Sequence, residues 1–242
     1  MPTAVLLSGG LDSAVLVAEE AASNEVQPVY VSVGLAWEAA EQAIVARFLA
    51  RAAAGGRVRP LVSLTVDMRD VYAATHWAVE GRPPGYHTRD EDVYLPGRNV
   101  ILLGKAAVYC AAAHIERLVL GTLGHNPFPD ATPAFRAAMA RALSLGLAHE
   151  IQIDAPYSTI SKADVIRRGA ALGVPFELTL SCMNPQLRIP NPESRIPNHE
   201  SPIPNPESLH CGTCSKCRER HDAFVEAGLV DPTEYVTTAN LR

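Results

Sequence analysis

Apolar residues in this chain fall into short unbroken runs separated by longer alanine-rich stretches with helical spacing. Ala4 to Leu7 reads as a short buried strand, and Ala14-Val15-Leu16-Val17-Ala18-Glu19 as the first turns of a helix. Val26 to Val33 predicts a second strand, and Trp37 to Ala54 a helix ending at Gly55-Gly56. Arg57 to Asp67 predicts a third strand, with alternation near its end. Asn99 to His114 is a strongly apolar helix, Arg117 to Leu123 a fourth strand, and Glu150 to Asp154 a short fifth. Between the last two lies a helix from Thr132 to Leu145, with Thr132 as N-cap and Pro133 at its first position. Ser161-Lys162-Ala163-Asp164 has the form of a capping box opening a helix to Leu172, which stops at Gly173 before Pro175. Strands alternating with helices predict an α/β fold: a Rossmann-like parallel five-stranded sheet with helices on both faces. Residues 80–97 hold three prolines and three glycines among charged groups, and read as a long surface loop near a ligand site.

After Leu180 the pattern changes. Residues 1–180 read as the α/β domain and 181–242 as a small C-terminal region. Within the latter, 185–208 carry seven of the 19 prolines and a seven-residue repeat beginning at Ile189, Ile196 and Ile203. Proline at the second position of every unit forbids helix, so this is an extended low-complexity insertion with no core of its own.

The insertion separates Cys182 from Cys211-Gly212-Thr213-Cys214-Ser215-Lys216-Cys217. Four thiolates can close a tetrahedral structural zinc site, with Gly212 freeing the turn that faces Cys211 and Cys214 to one ion. An iron–sulfur cluster and a redox pair are the rivals; one zinc per chain, with a helical zinc-binding region, is the expectation. Tripling a loop costs only about 1 kcal/mol of closure entropy, whereas structural zinc contributes on the order of 10 kcal/mol, so the insertion is tolerable. Cys110, in an apolar helix, reads as an inert core thiol.

The stretch joining the first strand to the first helix carries the main chemistry: Leu7-Ser8-Gly9-Gly10-Leu11-Asp12-Ser13. A strand, a glycine turn and a helix aim several backbone N–H groups and a positive helix end at one spot, where an anion belongs. Gly9 and Gly10 let the backbone approach closely, and Ser8 and Ser13 add hydroxyls. Asp12 is unexpected beside phosphate unless it caps the helix, orients the loop or meets a phosphate-bound metal. The stretch lacks the lysine of a P-loop and the spacing of G-x-G-x-x-G. It resembles the pyrophosphate loop of the N-type ATP pyrophosphatases, which implies cleavage of ATP between the α and β phosphates and adenylation of a substrate.

At 242 residues and 48% hydrophobic content the chain suits one globular domain with a small appendage. A net charge of −5 offers no pull toward nucleic acid. No apolar run reaches membrane-spanning length, and Asp12 comes too early for a signal peptide, so a cytoplasmic enzyme is expected. Five cysteines, four of them late and bunched, argue against a disulfide framework.

Several motifs occur in one order: Ser8 to Ser13, Tyr94-Leu95-Pro96-Gly97-Arg98-Asn99, Ser161-Lys162 through Gly169, Ser181-Cys182, the Cys211–Cys217 cluster, and Asp231-Pro232-Thr233-Glu234-Tyr235. The set resembles the 7-cyano-7-deazaguanine synthase family of queuosine and archaeosine biosynthesis, over nearly the whole chain apart from the insertion. The resemblance implies an adenine nucleotide alpha hydrolase-like fold and an ATP-dependent, nitrile-forming carbon–nitrogen ligase. Its substrates are ATP with Mg²⁺, ammonia and 7-carboxy-7-deazaguanine, and its relatives suggest a homodimer. Such chemistry needs chiefly positioning and charge neutralisation. Lys162 and Arg98 are the candidates for phosphate and carboxylate charge, Asp12 joins them as catalytic, and Asn99 either pins a base or ribose or caps the following helix.

Two loops depart from the family pattern. Where the family tends to aromatic-Gly-Gln-Arg-His, this chain has Val33-Gly34-Leu35-Ala36-Trp37-Glu38. Where it tends to Tyr-Ser-Gly-Tyr-Pro-Asp-Cys-Arg, this chain has Gly124-His125-Asn126-Pro127-Phe128-Pro129-Asp130-Ala131. These departures bear on the acceptor rather than on ATP. They keep open a diverged paralogue that adenylates another carboxylate or a macromolecule, with tRNA thiolation and a non-enzymatic nucleotide sensor as more distant alternatives.

Overall fold

A computed structural model describes residues 2–52, 55–188 and 207–240. A five-stranded parallel sheet runs in the order β3-β2-β1-β4-β5, formed by β1 (Thr3–Leu6), β2 (Val26–Ser32), β3 (Val62–Thr65), β4 (Arg117–Val119) and β5 (Gln152–Asp154). The register pairs Thr3 with both Val26 and Arg117. Alternation along the strands feeds two cores, as the period of two requires. Ala4, Val29, Val31 and Leu118 join one cluster with Leu103, Ala106, Ala107 and Cys110 of α4 (Arg98–Ala112). Val5, Tyr30 and Val119 join the other, with α1 (Leu11–Ala21), α2 (Glu38–Ala52) and α6 (Lys162–Ala171). Helices therefore cover both faces. A short α3 (Trp77–Glu80) and α5 (Pro133–Leu147) complete the layer set.

Local signals hold where they are chemically complete. Thr132 caps α5, its Oγ1 accepting from the Phe135 N–H at 3.2 Å. At α6, Ser161 and Asp164 form the full reciprocal box. Burial pushes the Cys110 thiol up to about 12, as suits an inert core position. The third and fourth strands are shorter than their apolar runs. Pro60 lacks an N–H and splits the Arg57–Asp67 run into a Val26–Val58 bridge and β3. The Arg117–Leu123 run is strand only to Val119, with one more cross-strand bond from the Leu120 N–H to the Asp154 carbonyl at 3.0 Å, and it then passes the first turn of α1. There a Cβ on Gly121 would lie 3.3 Å from the Asp12 backbone. Residues 80–97 are less superficial than predicted: a 3₁₀ turn spans Asp90–Val93, and Val93 and Leu95 are buried.

The repeat at 189–206 lies outside the described residues, but its two stems pair. β6 (Gln186–Arg188) and β7 (Glu207–Leu209) form an antiparallel ladder with Arg188 opposite Glu207. The last helix, α7 (Ser215–Ala227), packs on α6. Arg220, fully buried on α7, donates to Thr179 Oγ1 at 2.8 Å, to the Phe176 carbonyl at 3.0 Å and to Thr233 Oγ1 at 2.5 Å, and pairs with Asp231. Those contacts hold the C-terminal region against the segment after α6. No helix among the described residues is long and apolar enough to cross a membrane.

Candidate active site and metal centre

The chain order reverses around β1: β2 and β3 lie to one side, β4 and β5 to the other. Such a switch point leaves a crevice beyond the carboxyl ends of the strands. The Leu7–Gly10 loop follows β1 on one side of it and Gly121 follows β4 on the other. Gly9 has φ +79, and a Cβ there would sit 2.9 Å from Ile44 Cγ2 and 3.0 Å from Val45 Cγ2 of α2. Both its conformation and the space call for glycine. The Gly9 carbonyl accepts from the Leu180 N–H at 2.8 Å, pinning the loop from the far side. Gly10, not a serine or Asp12, is the N-cap of α1, without a side-chain cap. Ser13 Oγ donates to the Gly10 carbonyl at 2.9 Å, and Ser8 Oγ lies 3.4 Å from Ser13 Oγ. The first amides of α1 thus remain free of side-chain caps where an anion would sit.

Asp12 turns away from capping to a charge cluster. Lys162, the first residue of α6, donates from Nζ to Asp12 Oδ2 at 3.1 Å and to Glu219 Oε1 at 2.6 Å, and Lys216 pairs with the other Glu219 oxygen. Burial alone would strip the Lys162 charge; Asp12 and Glu219 outweigh it and hold Lys162 above its ordinary value. Burial likewise works against the Glu219 charge, but Lys162 and Lys216 keep it well below the usual carboxylate range. Burial raises Asp12 despite Lys162, and its second oxygen, Oδ1, is buried without a partner.

Across the crevice, α4 starts at Arg98 behind Gly97, which has φ +78 and is the N-cap. Asn99 therefore does not cap α4. Its Nδ2 donates to the Asp130 carbonyl at 3.2 Å, and its backbone N–H donates to Asp130 Oδ2 at 3.2 Å. Arg98 lines the crevice, with its Nε buried and unpaired. Opposite Arg98 is Glu41, buried on α2, which accepts from Tyr30 Oη at 2.9 Å and from Trp37 Nε1 at 3.1 Å. Burial pushes its carboxyl up to about 7.

The crevice has two lobes, of about 300 Å³ and about 230 Å³. Ser8, Gly10, Asp12, Glu41, Arg98 and Asn99 line both and mark the junction. The smaller lobe lies along the strand ends and the loop. The larger is walled by aromatics: Trp37 stacks on Trp77 at 5.9 Å, and Tyr94 on Phe128 at 5.0 Å. Trp37 and Phe128 come from the two divergent loops. Ser8, Gly10, Leu11, Asp12, Lys162, Arg98 and Asn99 are thus brought to one place. Leu7 and Leu11 are almost wholly buried and contribute backbone and packing. Sequence reasoning missed Glu41 and Glu219, and placed Asp130 in the 124–131 loop without giving it a role. Glu41 lies in an ordinary helical stretch, and Glu219 in a charged run after the last cysteine.

The four late cysteines are all buried, with ligand atoms within 4.8 Å of one another, a group that could hold a metal ion. Cys211 Sγ is 3.8 Å and Cys214 Sγ 3.5 Å from Cys217 Sγ. Backbone N–H groups of Asn184 and Cys211 donate to Cys182 Sγ, each at 3.3 Å. Gly212 at the knuckle has φ +75, and a Cβ there would lie 1.9 Å from the Thr237 carbonyl oxygen. Lys216 and Glu219 stand on the helix that Cys214 and Cys217 begin, so the metal group and the Lys162 cluster share one element.

Comparison with known proteins agrees with this geometry. The family model "Queuosine biosynthesis protein QueC" matches residues 3–228. The 7-cyano-7-deazaguanine synthase of Anaeromyxobacter dehalogenans is 32% identical over 244 residues, covering 96% of this chain and 94% of that protein. That of Methanoculleus marisnigri is 33% identical over 241 residues, covering 95% and 96%. Among solved structures, the U34-tRNA thiolase NcsA of Methanococcus maripaludis with its iron–sulfur cluster aligns at TM-score 0.45 and 14% identity, covering 100% of this chain and 82% of that one. A likeness that slight bears on neither metal nor reaction.

Proposed function

Since the chain belongs to the QueC family of queuosine biosynthesis proteins, we propose that it is an ATP-dependent ligase making 7-cyano-7-deazaguanine from 7-carboxy-7-deazaguanine and ammonia. The observation that carries this reading is the junction: a phosphate-type loop and an aromatic-walled cavity meet at Asp12, Glu41, Arg98 and Asn99. A planar bicyclic base fits between aromatic walls. Its carboxylate would then face the smaller lobe, where the loop amides and the end of α1 receive phosphate.

A carboxylate is a poor electrophile, and adenylation supplies a leaving group. The carboxylate oxygen attacks the α phosphorus of ATP and pyrophosphate departs. Ammonia displaces AMP to give the amide. The amide oxygen attacks the α phosphorus of a second ATP, pyrophosphate departs, and loss of AMP together with both N–H protons leaves the nitrile. Ser8 to Ser13 hold the departing pyrophosphate, and Lys162 and Arg98 neutralise charge at the reacting phosphate and carboxylate. Asp12 keeps Lys162 aimed, while Asn99 and Asp130 fix the start of α4. Mg²⁺ enters with the nucleotide.

Zinc is the metal that suits the four cysteines. A tetrahedron with Zn–S of about 2.3 Å has edges of about 3.8 Å, near the 3.5 and 3.8 Å separations found here. Zinc would close the knuckle and fix the start of α7, a structural role. A homodimer working in the cytoplasm completes the reading.

The test is incubation with ATP, Mg²⁺, an ammonium salt and 7-carboxy-7-deazaguanine, followed by mass analysis. Nitrile should form with one AMP per activation. The divergent loops, which place Trp37 and Phe128 in the cavity, favour one alternative, a paralogue adenylating another carboxylate. It is indicated if AMP appears only with a different acid. Nucleotide binding without AMP would indicate a sensor and reject the ligase.

A further inference from the structure

Ammonia is mostly ammonium near neutral pH, and ammonium has no lone pair. The reaction proposed above, on which this inference rests, needs a group that takes a proton from nitrogen in both half-reactions. Four carboxylates line the larger lobe: Asp12, Asp130, Glu219 and Glu41. Glu219 is tied to Lys162 and Lys216. Asp12 is committed to Lys162, and protonating it would break an ion pair. Asp130 holds the first turn of α4 through the Asn99 N–H. Glu41 differs from the other three. Its hydrogen-bond partners are the neutral Tyr30 hydroxyl and Trp37 indole, each donating to one oxygen and leaving the second lone pair of each oxygen unclaimed by them. It can gain and lose a proton without breaking an ion pair, and it lines both lobes.

We propose that Glu41 is the general base of the ammonia-dependent steps, placed where the acyl group of the base meets the phosphate loop. In the first step an ammonium proton passes to the Glu41 carboxylate. The freed nitrogen lone pair forms the C–N bond, the C–O bond to AMP breaks, and the remaining extra proton leaves to solvent. In the second activation one N–H proton of the amide leaves to solvent as its oxygen is adenylated. Glu41, having released its first proton to solvent, takes the other as the C–O bond to AMP breaks and the nitrile forms. The charged and titratable groups facing it are Arg98 from α4, Tyr30 from β2 and Glu38 from its own helix. Burial sets its carboxyl near 7, while Arg98 and the two donors restrain the rise. A base poised near the working pH is the effective one.

Hydroxylamine provides the test, because it is already neutral at pH 7 and needs no base to expose its lone pair. Wild type and Glu41→Gln are compared for amide formation from ammonium and hydroxamate formation from hydroxylamine, with the same ATP, Mg²⁺ and deazapurine acid. The amide-to-hydroxamate rate ratio should fall by about a hundredfold or more in Glu41→Gln. A general loss of fold or of ATP binding cancels in that ratio. Should the variant be inactive with both nucleophiles, Tyr30→Phe decides. Losing one donor to the carboxylate should move the acid limb of the ammonia-dependent rate to higher pH. An unchanged ratio in Glu41→Gln, or an unmoved limb in Tyr30→Phe, overturns the proposal. Failure of the functional reading looks different: wild type itself forms neither amide nor hydroxamate.

Discussion

Glu41 shows how one residue can be both a liability and a tool. Its carboxyl is held near 7 against an ordinary value of 4.5. Between those pH values the folded protein binds more protons than the unfolded chain, so stability falls as pH rises through that window and levels off above it. Glu41→Gln should therefore be more stable than wild type near pH 8 by about 1–3 kcal/mol, with no difference near pH 4. Denaturant melts at the two pH values check this. Gly212 is constrained differently. Its φ of +75 and the Thr237 carbonyl leave no room for a Cβ, so Gly212→Ala should displace the C-terminal segment and lower metal content, read by metal analysis and melting temperature. Gly9 carries the same double constraint in the loop after β1.

At the scale of the element, ends matter more than interiors. α5 closes on Ala148 with φ 48 and ψ 37, a left-handed position that a Cβ disfavours. Ala148→Gly should raise stability by about 1 kcal/mol, measured by thermal or urea unfolding. The proline repeat is an insertion with paired stems. β6 and β7 place Arg188 opposite Glu207, so replacing Ile189 to Pro206 by Asn-Gly should close a two-residue hairpin. The shortened protein should keep its metal and its ATP turnover. Lost turnover with the metal still bound would give the repeat a functional role.

Across the whole molecule, the four-cysteine group and the Lys162 charge cluster are mechanically one unit. The cysteines fix the start of α7, and that helix carries Glu219 to Lys162, which also holds Asp12. Stripping the metal should therefore depress AMP formation as well as stability, and restoring zinc should recover both. AMP formation, metal content and circular dichroism followed together during chelation test this; full activity after complete metal loss would separate the two sites. Arg220 adds a second tie between α7 and the segment after α6, through a charge buried in full hydrogen bonding. Arg220→Ala should cost about 3–5 kcal/mol, because Asp231 would lose its charged partner.

Short-range order was legible in the chain alone. The five strands, the helix starts at Thr132 and Ser161, the glycine loop and the four cysteines all follow from rules that act within a few residues: period, caps, backbone freedom and ligand spacing. What escaped was decided at a distance. Pro60 split one strand by withholding an N–H from the ladder. Asp12 left the cap for Lys162, 150 residues away in sequence. Glu41, Asp130 and Glu219 gained their surroundings only when β2, α4, the 129–131 turn and α7 were brought around one crevice. Burial and ion pairing depend on which elements face each other. The sequence supplied the groups, and packing decided which carboxylate holds an ammonium, which fastens a helix, and which is left near neutrality between a phenol and an indole.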